Sequence, residues 1–166
     1  MHSRRATTLR FLAEPTHANY AGNVHGGQMM KWIDHVGYAC ATAWSGKYCV
    51  TIYVGGIHFM RPIRVGWIVE MRAEVIHTGS TSMHIMVDIH AGDPREQTSE
   101  RCGHCVIVFV ALDDDRKPVK VPSWTPDTEY DRALQGYALR LMELRKAMEE
   151  EMEKSLHLKP DPTVAG

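Results

Sequence analysis

The feature that most limits how this chain can fold is the order of its secondary-structure patterns. One long helix pattern is followed by four strand patterns, with no further helix between them. Apolar and small residues recur every three or four positions between Gln28 and Trp44, which predicts a helix. Alternating or continuously apolar stretches follow at 48–54, 66–77, 82–90 and 105–112. The lack of strand–helix alternation argues against a doubly wound parallel sheet. It favours an α+β fold in which an antiparallel sheet packs on one helix.

The flanking segments complete the predicted organisation. Residues 7–14 indicate a short strand or extended lead-in, and residues 15–27 form a loop rich in Pro, Asn and Gly. A second amphipathic helix begins near Pro126, and the tail 157–166 is expected to fray. The 166 residues suit about one compact domain. We therefore predict a single domain over 1–125, followed by a C-terminal helical extension over 126–166.

Charge and composition exclude several classes of protein. With 19 Lys and Arg against 20 Asp and Glu, the net charge of −1 argues against general binding of nucleic acid or a membrane surface. No apolar run approaches the length of a membrane span, and the N-terminal residues lack the apolar core of an export signal. Four cysteines are few for a disulfide scaffold. We expect a cytoplasmic protein with reduced thiols.

Cysteine and histidine patterns offer only weak alternatives. Cys102 and Cys105 have the spacing of a redox dithiol, but the apolar run after them predicts a strand, in which their sulfur atoms would face opposite sides. The ten histidines include no HExxH motif, and no second cysteine pair lies at zinc-ligand spacing. His25 and His35 lie near Asp34 in the sequence, so a metal hydrolase stays open as an alternative. We predict no metal.

Asp34 is the first candidate catalytic residue. It lies on the flank of an otherwise apolar helix, one turn after Met30. A carboxylate beside a packed face loses hydration, which raises its pKa toward the range useful for a general base. The alternative is an exposed helix acid paired with Lys31 or His35.

The loop before this helix supplies further candidates. Asn19 precedes a Gly-rich run that ends in Gly26 and Gly27 at the predicted helix start. The glycines allow close approach of a ligand, and free N–H groups at a helix N-terminus can polarise a carbonyl oxygen. A plain helix-entry loop is the alternative for the run alone. The combination of a side-chain amide, a Gly-Gly helix start and a helix acid is more specific.

Residues 16–44 resemble the signature of hot-dog-fold acyl-CoA thioesterases, especially the cytosolic acyl-CoA hydrolase group with its YciA-like enzymes. Further matches are Phe59-x-x-Pro62-x-x-x-Gly66, Thr78-Gly79-x-x-Ser82-Met83 and Phe109-Val110-Ala111-Leu112. The resemblance covers about residues 7–125. It implies a curved antiparallel sheet wrapped around a long central helix, with the C-terminal helix as an addition.

The resemblance also implies roles for individual residues. Asn19 and Asp34 match the two catalytic positions, which meet across a dimer interface, and the backbone of Gly26 and Gly27 matches the carbonyl-polarising helix start. The turn that contacts coenzyme A matches Thr78, Gly79, Ser80, Thr81 and Ser82. Many relatives carry a basic residue where this chain has Ser80. Phosphate contacts are therefore assigned to Arg61 or Arg64, and His25 is assigned to substrate binding.

The implied function is hydrolysis of acyl-CoA to a free fatty acid and coenzyme A, with no cofactor. Asp34 would act as general base or as nucleophile, and Asn19 would orient the water or the carbonyl. The resemblance implies a dimer and, beyond it, a hexameric trimer of dimers. Two alternatives stay open: a hot-dog dehydratase or hydratase that uses His25 or His35, and a non-catalytic acyl-CoA-binding regulatory module.

Overall fold

The computed structural model describes residues 4–157 as two helices and one sheet. Five antiparallel strands lie in the spatial order β1-β3-β4-β5-β2. In chain order the elements are β1 (Ala6–Leu12), α1 (Gly26–Ser45), β2 (Tyr48–Phe59), β3 (Ile68–Thr78), β4 (Ser82–Gly92), β5 (Glu100–Leu112) and α2 (Glu129–Leu156), with a 3-10 turn at Pro15–His17. The predicted α+β architecture is confirmed. The division at residue 125 stays a prediction, and residues 158–166 of the tail lie outside the described residues.

Helix α1 packs its apolar stripe on the concave face of the sheet. Met29, Ile33, Val36 and Cys40 are all buried there, at the spacing that predicted the helix. The helix begins two residues earlier than predicted, at Gly26. It ends at Gly46, whose positive φ of 66° closes the last turn in the left-handed conformation.

Strands β2 and β5 are longer than the sequence pattern predicted. The ladder between them carries β2 through Gly55 and Gly56 to Phe59, although the glycines interrupt the alternation. At the start of β5 a register shift makes Cys102 the extra residue of a bulge. Cys102 and Cys105 therefore lie in the same core cluster, and the prediction that they face opposite sides is wrong. Both thiols are free, and burial raises the pKa of Cys105 to about 12.

Helix α2 lies on the outer face of the sheet, opposite α1. Its start is fixed by a capping box between Thr128 and Asp131. Leu134, Ala138 and Leu141 pack in a second, smaller apolar cluster with residues of β3, β4 and β5. Neither helix of the described residues is long and apolar enough to span a membrane.

Candidate active site

Asp34 lies on the flank of α1 that faces β2. Its Oδ1 accepts a hydrogen bond from Thr51 Oγ1 at 2.5 Å, and hydrogen bonds to a charged carboxylate are shorter and stronger than those between neutral groups. Asp34 is exposed in the single chain, so the loss of hydration expected from the sequence does not occur within one copy. Within residues 4–157 it forms no ion pair with Lys31 or His35.

An exposed apolar patch surrounds Asp34 along α1 and β2. Met30 and Tyr38 lie one turn to either side of it on α1 and are 48% and 38% exposed. The Tyr38 ring contacts that of Tyr48 at the start of β2, and Phe59 at the other end of β2 is 45% exposed. Several large apolar side chains exposed on neighbouring elements are typical of an interaction or ligand site.

The N-terminus of α1 offers one open amide near this patch. His25 is the N-cap, and its Nδ1 accepts the Gly27 N–H at 3.1 Å. The Gln28 and Met29 N–H groups bond to the His25 carbonyl oxygen. In the described chain the Gly26 N–H has no hydrogen-bond partner, and a Cβ on Gly26 would lie 3.8 Å from the Phe59 ring. Of the two predicted carbonyl donors, Gly26 is open and Gly27 is occupied.

Asn19 is held rigidly in the loop that precedes α1. Its Oδ1 accepts hydrogen bonds from the Ala21 and Asn23 N–H groups, at 2.9 and 3.2 Å. This leaves the side-chain Nδ2 to donate to another group. Asp34 lies eight residues beyond Gly26, about 12 Å along the helix. None of the contacts that the structure describes joins Asn19 to Asp34.

The residues predicted to hold coenzyme A lie at opposite ends of the sheet. Arg61 bonds Glu100 at 2.7 Å at the start of β5, and Arg64 lies beside the Asn19 loop through its bridge with Asn23. The 78–82 turn joins β3 and β4 at the far end. Strand β4, which has eleven residues, separates the two ends by about 33 Å. One chain therefore does not bring the two sets together.

The 78–82 turn accepts hydrogen bonds from the segment that follows β5. Thr78 Oγ1 accepts the Trp124 N–H at 2.9 Å, and the Ser80 and Thr81 carbonyl oxygens accept further backbone N–H groups. Gly79 donates its N–H to the Ser82 carbonyl oxygen, and a Cβ at Gly79 would lie 2.6 Å from Ser82 Oγ. Thr78 and Gly79 are thus tied into the hairpin. Their predicted contact with coenzyme A stays a prediction.

Within residues 4–157, no group of three or more His, Cys, Asp or Glu side chains is arranged to hold a metal ion. His25 caps α1, and His35 is exposed on the helix. The assignment of His25 to substrate binding stays a prediction.

Comparison with known proteins places this architecture in a family. The family model described as "Thioesterase superfamily" matches residues 21–98. Protein VdlD of Helicobacter pylori is 30% identical over 142 residues, covering 86% of this chain and 81% of the relative. The acyl-CoA thioester hydrolase YciA of Salmonella typhimurium is 32% identical over 118 residues, covering 69% and 88%. The predicted class, a thioester hydrolase with the hot-dog fold, is confirmed. The chain belongs to the thioesterase superfamily.

Solved structures agree with this assignment. An acyl-CoA hydrolase of Staphylococcus aureus, in complex with butyryl coenzyme A, coenzyme A and coenzyme A disulfide, is 27% identical with a TM-score of 0.82, covering 92% of this chain and 93% of that one. A hexameric acyl-CoA thioesterase in its apo form is 28% identical with a TM-score of 0.83, covering 87% and 93%.

Three further structures of the S. aureus enzyme are single-alanine variants of an Asn, an Asp and a Thr. Along that chain the Asp follows the Asn by 15 residues, and the Thr follows the Asp by 17. Asn19, Asp34 and Thr51 have the same residue types at the same spacings. The sequence analysis did not identify Thr51. The alternation of apolar and polar residues in β2 indicates which face of the sheet a side chain lies on, but not whether that side chain contacts α1.

Proposed function

We propose that the protein is an acyl-CoA thioesterase that hydrolyses acyl-CoA to a free fatty acid and coenzyme A. The observation that carries the proposal is the carboxylate of Asp34, which is fixed by Thr51 inside an exposed apolar patch on α1. The patch suits an acyl chain, and a fixed carboxylate beside it suits activation of water. The names of the relatives support the same substrate class.

The chemical step uses the helix start and the carboxylate. The thioester oxygen accepts the Gly26 N–H at the positive end of α1 of a second copy, because the Gly26 of the copy that supplies Asp34 lies about 12 Å away along its own helix. A preorganised donor there contributes about 10²–10³ in rate. Gly27 adds its N–H when the His25 side chain turns away. Asp34 removes a proton from water as general base, which contributes roughly 10²–10⁴. The water attacks the carbonyl carbon and the thiolate of coenzyme A leaves. No cofactor takes part.

Asn19 reaches the reacting atoms from a second copy of the chain. Three observations support this: Asn19 does not contact Asp34 within one chain, its Nδ2 is left to donate, and apolar surface beside Asp34 is exposed. A two-fold relation would also bring the 78–82 turn of one copy toward Arg61 and Arg64 of the other. The proposed assembly is a dimer within a trimer of dimers, in line with the hexameric neighbour.

We place the protein in the cytoplasm. Its four cysteines are all unpaired in the structure, which suits a reducing compartment.

Substitution of the two site residues tests the function. With a thiol-release assay across acyl-CoA chain lengths, Asp34→Asn is expected to lower kcat by about 10²–10⁴, because the general base is lost. Asn19→Ala is also expected to lose activity. Glu70→Gln, an exposed acid on β3 three strands away from β2, is the control and keeps the parent rate. Folded Asp34→Asn and Asn19→Ala proteins that hydrolyse acyl-CoA at the parent rate would contradict the assignment.

A labelling experiment separates the two chemical roles of Asp34. In a single turnover in ¹⁸O-labelled water, a general base places the label only in the released fatty acid. Direct attack by Asp34 forms an anhydride, whose hydrolysis can leave label in the Asp34 carboxylate. Mass analysis of the peptide that contains Asp34 distinguishes these outcomes.

A further inference from the structure

Helix α2 crosses the outer face of the sheet from one edge to the other. It starts beside β1 and β3, where Asp131 pairs with Arg5, and its middle contacts β5 through Tyr137 and His104. It reaches the edge strand β2 where Arg145 stacks over the Tyr53 ring at 4.3 Å. From Asp131 to Arg145 the helix rises about 21 Å, close to the roughly 19 Å across five strands.

The last two turns of α2 therefore extend past the edge of the sheet. Residues 150–156, here called the overhang, are all exposed. Its apolar side chains continue the stripe that packs on the sheet, and the whole stripe covers about a third of the helix circumference. The stripe consists of Leu141, Leu144, Met148, Met152 and Leu156. Helix ends that pack on nothing open more readily than the packed part of the helix.

A cavity lies where α2 passes over β2. Its volume is about 230 Å³, and its lining is mainly apolar, with Tyr53, Val106, Val108 and Met148 among its residues. Gly55 and Gly56 both line the cavity, and at Gly55 the Tyr53 ring fills the place of a side chain, because a Cβ there would lie 2.4 Å from that ring. A Cβ on Gly56 would meet nothing within 4 Å. An apolar cavity of about 150 Å³ holds benzene, so this one has room for a methionine or leucine side chain.

The charges along α2 match a second copy that runs in the opposite direction. The overhang carries Glu150, Glu151 and Glu153 and one lysine, whereas Arg145, which pairs with Glu149 at 2.7 Å, lies with Lys146 at the edge of the chain's own sheet. Among the described residues, no strand pairs with the outer edge of β2. A two-fold axis beside that edge sets the two α2 helices antiparallel, so each acidic overhang passes close to Arg145 and Lys146 of the other copy.

We propose that the overhang of each chain packs on the outer sheet face of a second copy, with Met152 and Leu156 directed into the cavity beside Gly55 and Gly56. The contact is reciprocal, because each copy supplies Met152 and Leu156 to its partner and a cavity that receives the same side chains of its partner. The inference needs a second copy beside β2, as the proposed function does, but not the hydrolytic reaction. Its test therefore uses no activity readout.

Paramagnetic relaxation between copies tests the contact. Copies with Glu153→Cys carry a nitroxide, and they are refolded together with label-free copies that have ¹³C-labelled valine methyl groups. The four native cysteines are buried, so the label attaches at position 153. The Val106 and Val108 methyl signals of the label-free copies are expected to lose intensity until the nitroxide is reduced. Native mass spectrometry verifies that the copies mix.

Matched variants control the experiment. A nitroxide at Ala133→Cys, on the exposed first turns of α2, leaves the Val106 signal unchanged. Adding Met152→Glu to the Glu153→Cys chain abolishes the loss of intensity, whereas Leu139→Glu, an exposed residue on the opposite face of α2, preserves it. The proposal is overturned if mixed assemblies show no loss of intensity at Val106 and Val108, or if the chain stays monomeric.

Discussion

At the scale of single residues, the hydrogen bond from Thr51 to Asp34 is the contact that fixes the carboxylate. Asp34 is otherwise exposed, so without Thr51 its side chain would sample several rotamers. A hydrogen bond to a charged group is worth about 1.5 kcal/mol, which corresponds to roughly tenfold in rate. We therefore expect Thr51→Val to lower kcat about tenfold while KM changes little.

Steady-state thiol release measures this effect, and Thr51→Ser provides the control because it keeps the hydroxyl group. The serine variant should retain most of the parent kcat. If the valine variant turns over acyl-CoA as fast as the serine variant, Thr51 does not position Asp34.

His84 makes stability depend on pH. It is 6% exposed beneath α2, and burial, followed by the charges of His77 and Arg145, lowers its pKa to about 4. In the unfolded chain its pKa is near 6.5, so the unfolded state binds the proton first as pH falls. The contribution of His84 to the free energy of unfolding should be constant above about pH 7 and fall by about 3 kcal/mol between pH 6.5 and 4.

Urea unfolding at pH 7 and pH 5 measures this loss, and His84→Phe should reduce it. His77, whose pKa burial also lowers, keeps part of the dependence in that variant. If the free energy of unfolding of His84→Phe differs between pH 7 and pH 5 by as much as that of the parent, other groups cause the pH dependence.

At the scale of elements, two helix glycines should respond in opposite ways to alanine. A Cβ on Gly37 of α1 would lie 2.8 Å from the Phe109 ring, which is itself fully buried in the core. A Cβ on Gly136 of α2 would meet nothing within 4 Å. Overpacking costs about 1–3 kcal/mol, whereas helix propensity gains up to about 1 kcal/mol.

Gly37→Ala is therefore expected to lower the free energy of unfolding by about 1–2 kcal/mol, and Gly136→Ala to raise it by about 0.5–1 kcal/mol. Chemical denaturation of both variants beside the parent measures the two shifts. Equal stabilisation by both alanines would mean that the sheet moves away from α1 at little cost.

The elements that were predictable share one physical property: each buries a regularly spaced apolar face. That spacing predicts α1, α2, β3 and β4 to within a few residues at either end. The prediction stopped short at Gly55 in β2 and at the Cys102 bulge, because hydrogen bonding to neighbouring strands maintains a strand where side-chain alternation fails.

The sequence indicated which residues form the candidate site, but not the contacts that hold them in place. Asn19, Asp34 and Gly26 stand out as residue types before and within an apolar helix. The capping of α1 by His25 and the contact from Thr51 depend on how the folded chain brings the loop, helix and strand together. Sequence spacing alone does not encode these contacts.

At the scale of the whole molecule, the proposed site is shared between copies, so two inactive variants should complement each other. Chains with Asn19→Ala are refolded together with an equal amount of Asp34→Ala chains. In random pairing half the dimers are mixed, and each mixed dimer contains one intact site and one site lacking both groups. We expect about a quarter of the parent activity.

Thiol release from the refolded mixture measures the recovery, and each variant refolded alone sets the background. Mixtures that stay at background, with mixed dimers verified by mass spectrometry, would place the complete site within one chain.

The four buried cysteines affect how the chain would tolerate the product of the proposed reaction. Thiolates, not thiols, exchange with disulfides, and burial raises the pKa of Cys40, Cys49, Cys102 and Cys105 alike. The proposed hydrolysis of acyl-CoA releases the thiol of coenzyme A, which an oxidant converts to coenzyme A disulfide. Because its own sulfur atoms stay protonated and inaccessible, the folded chain resists forming mixed disulfides with that product. Exposure of these thiols through unfolding would end that resistance.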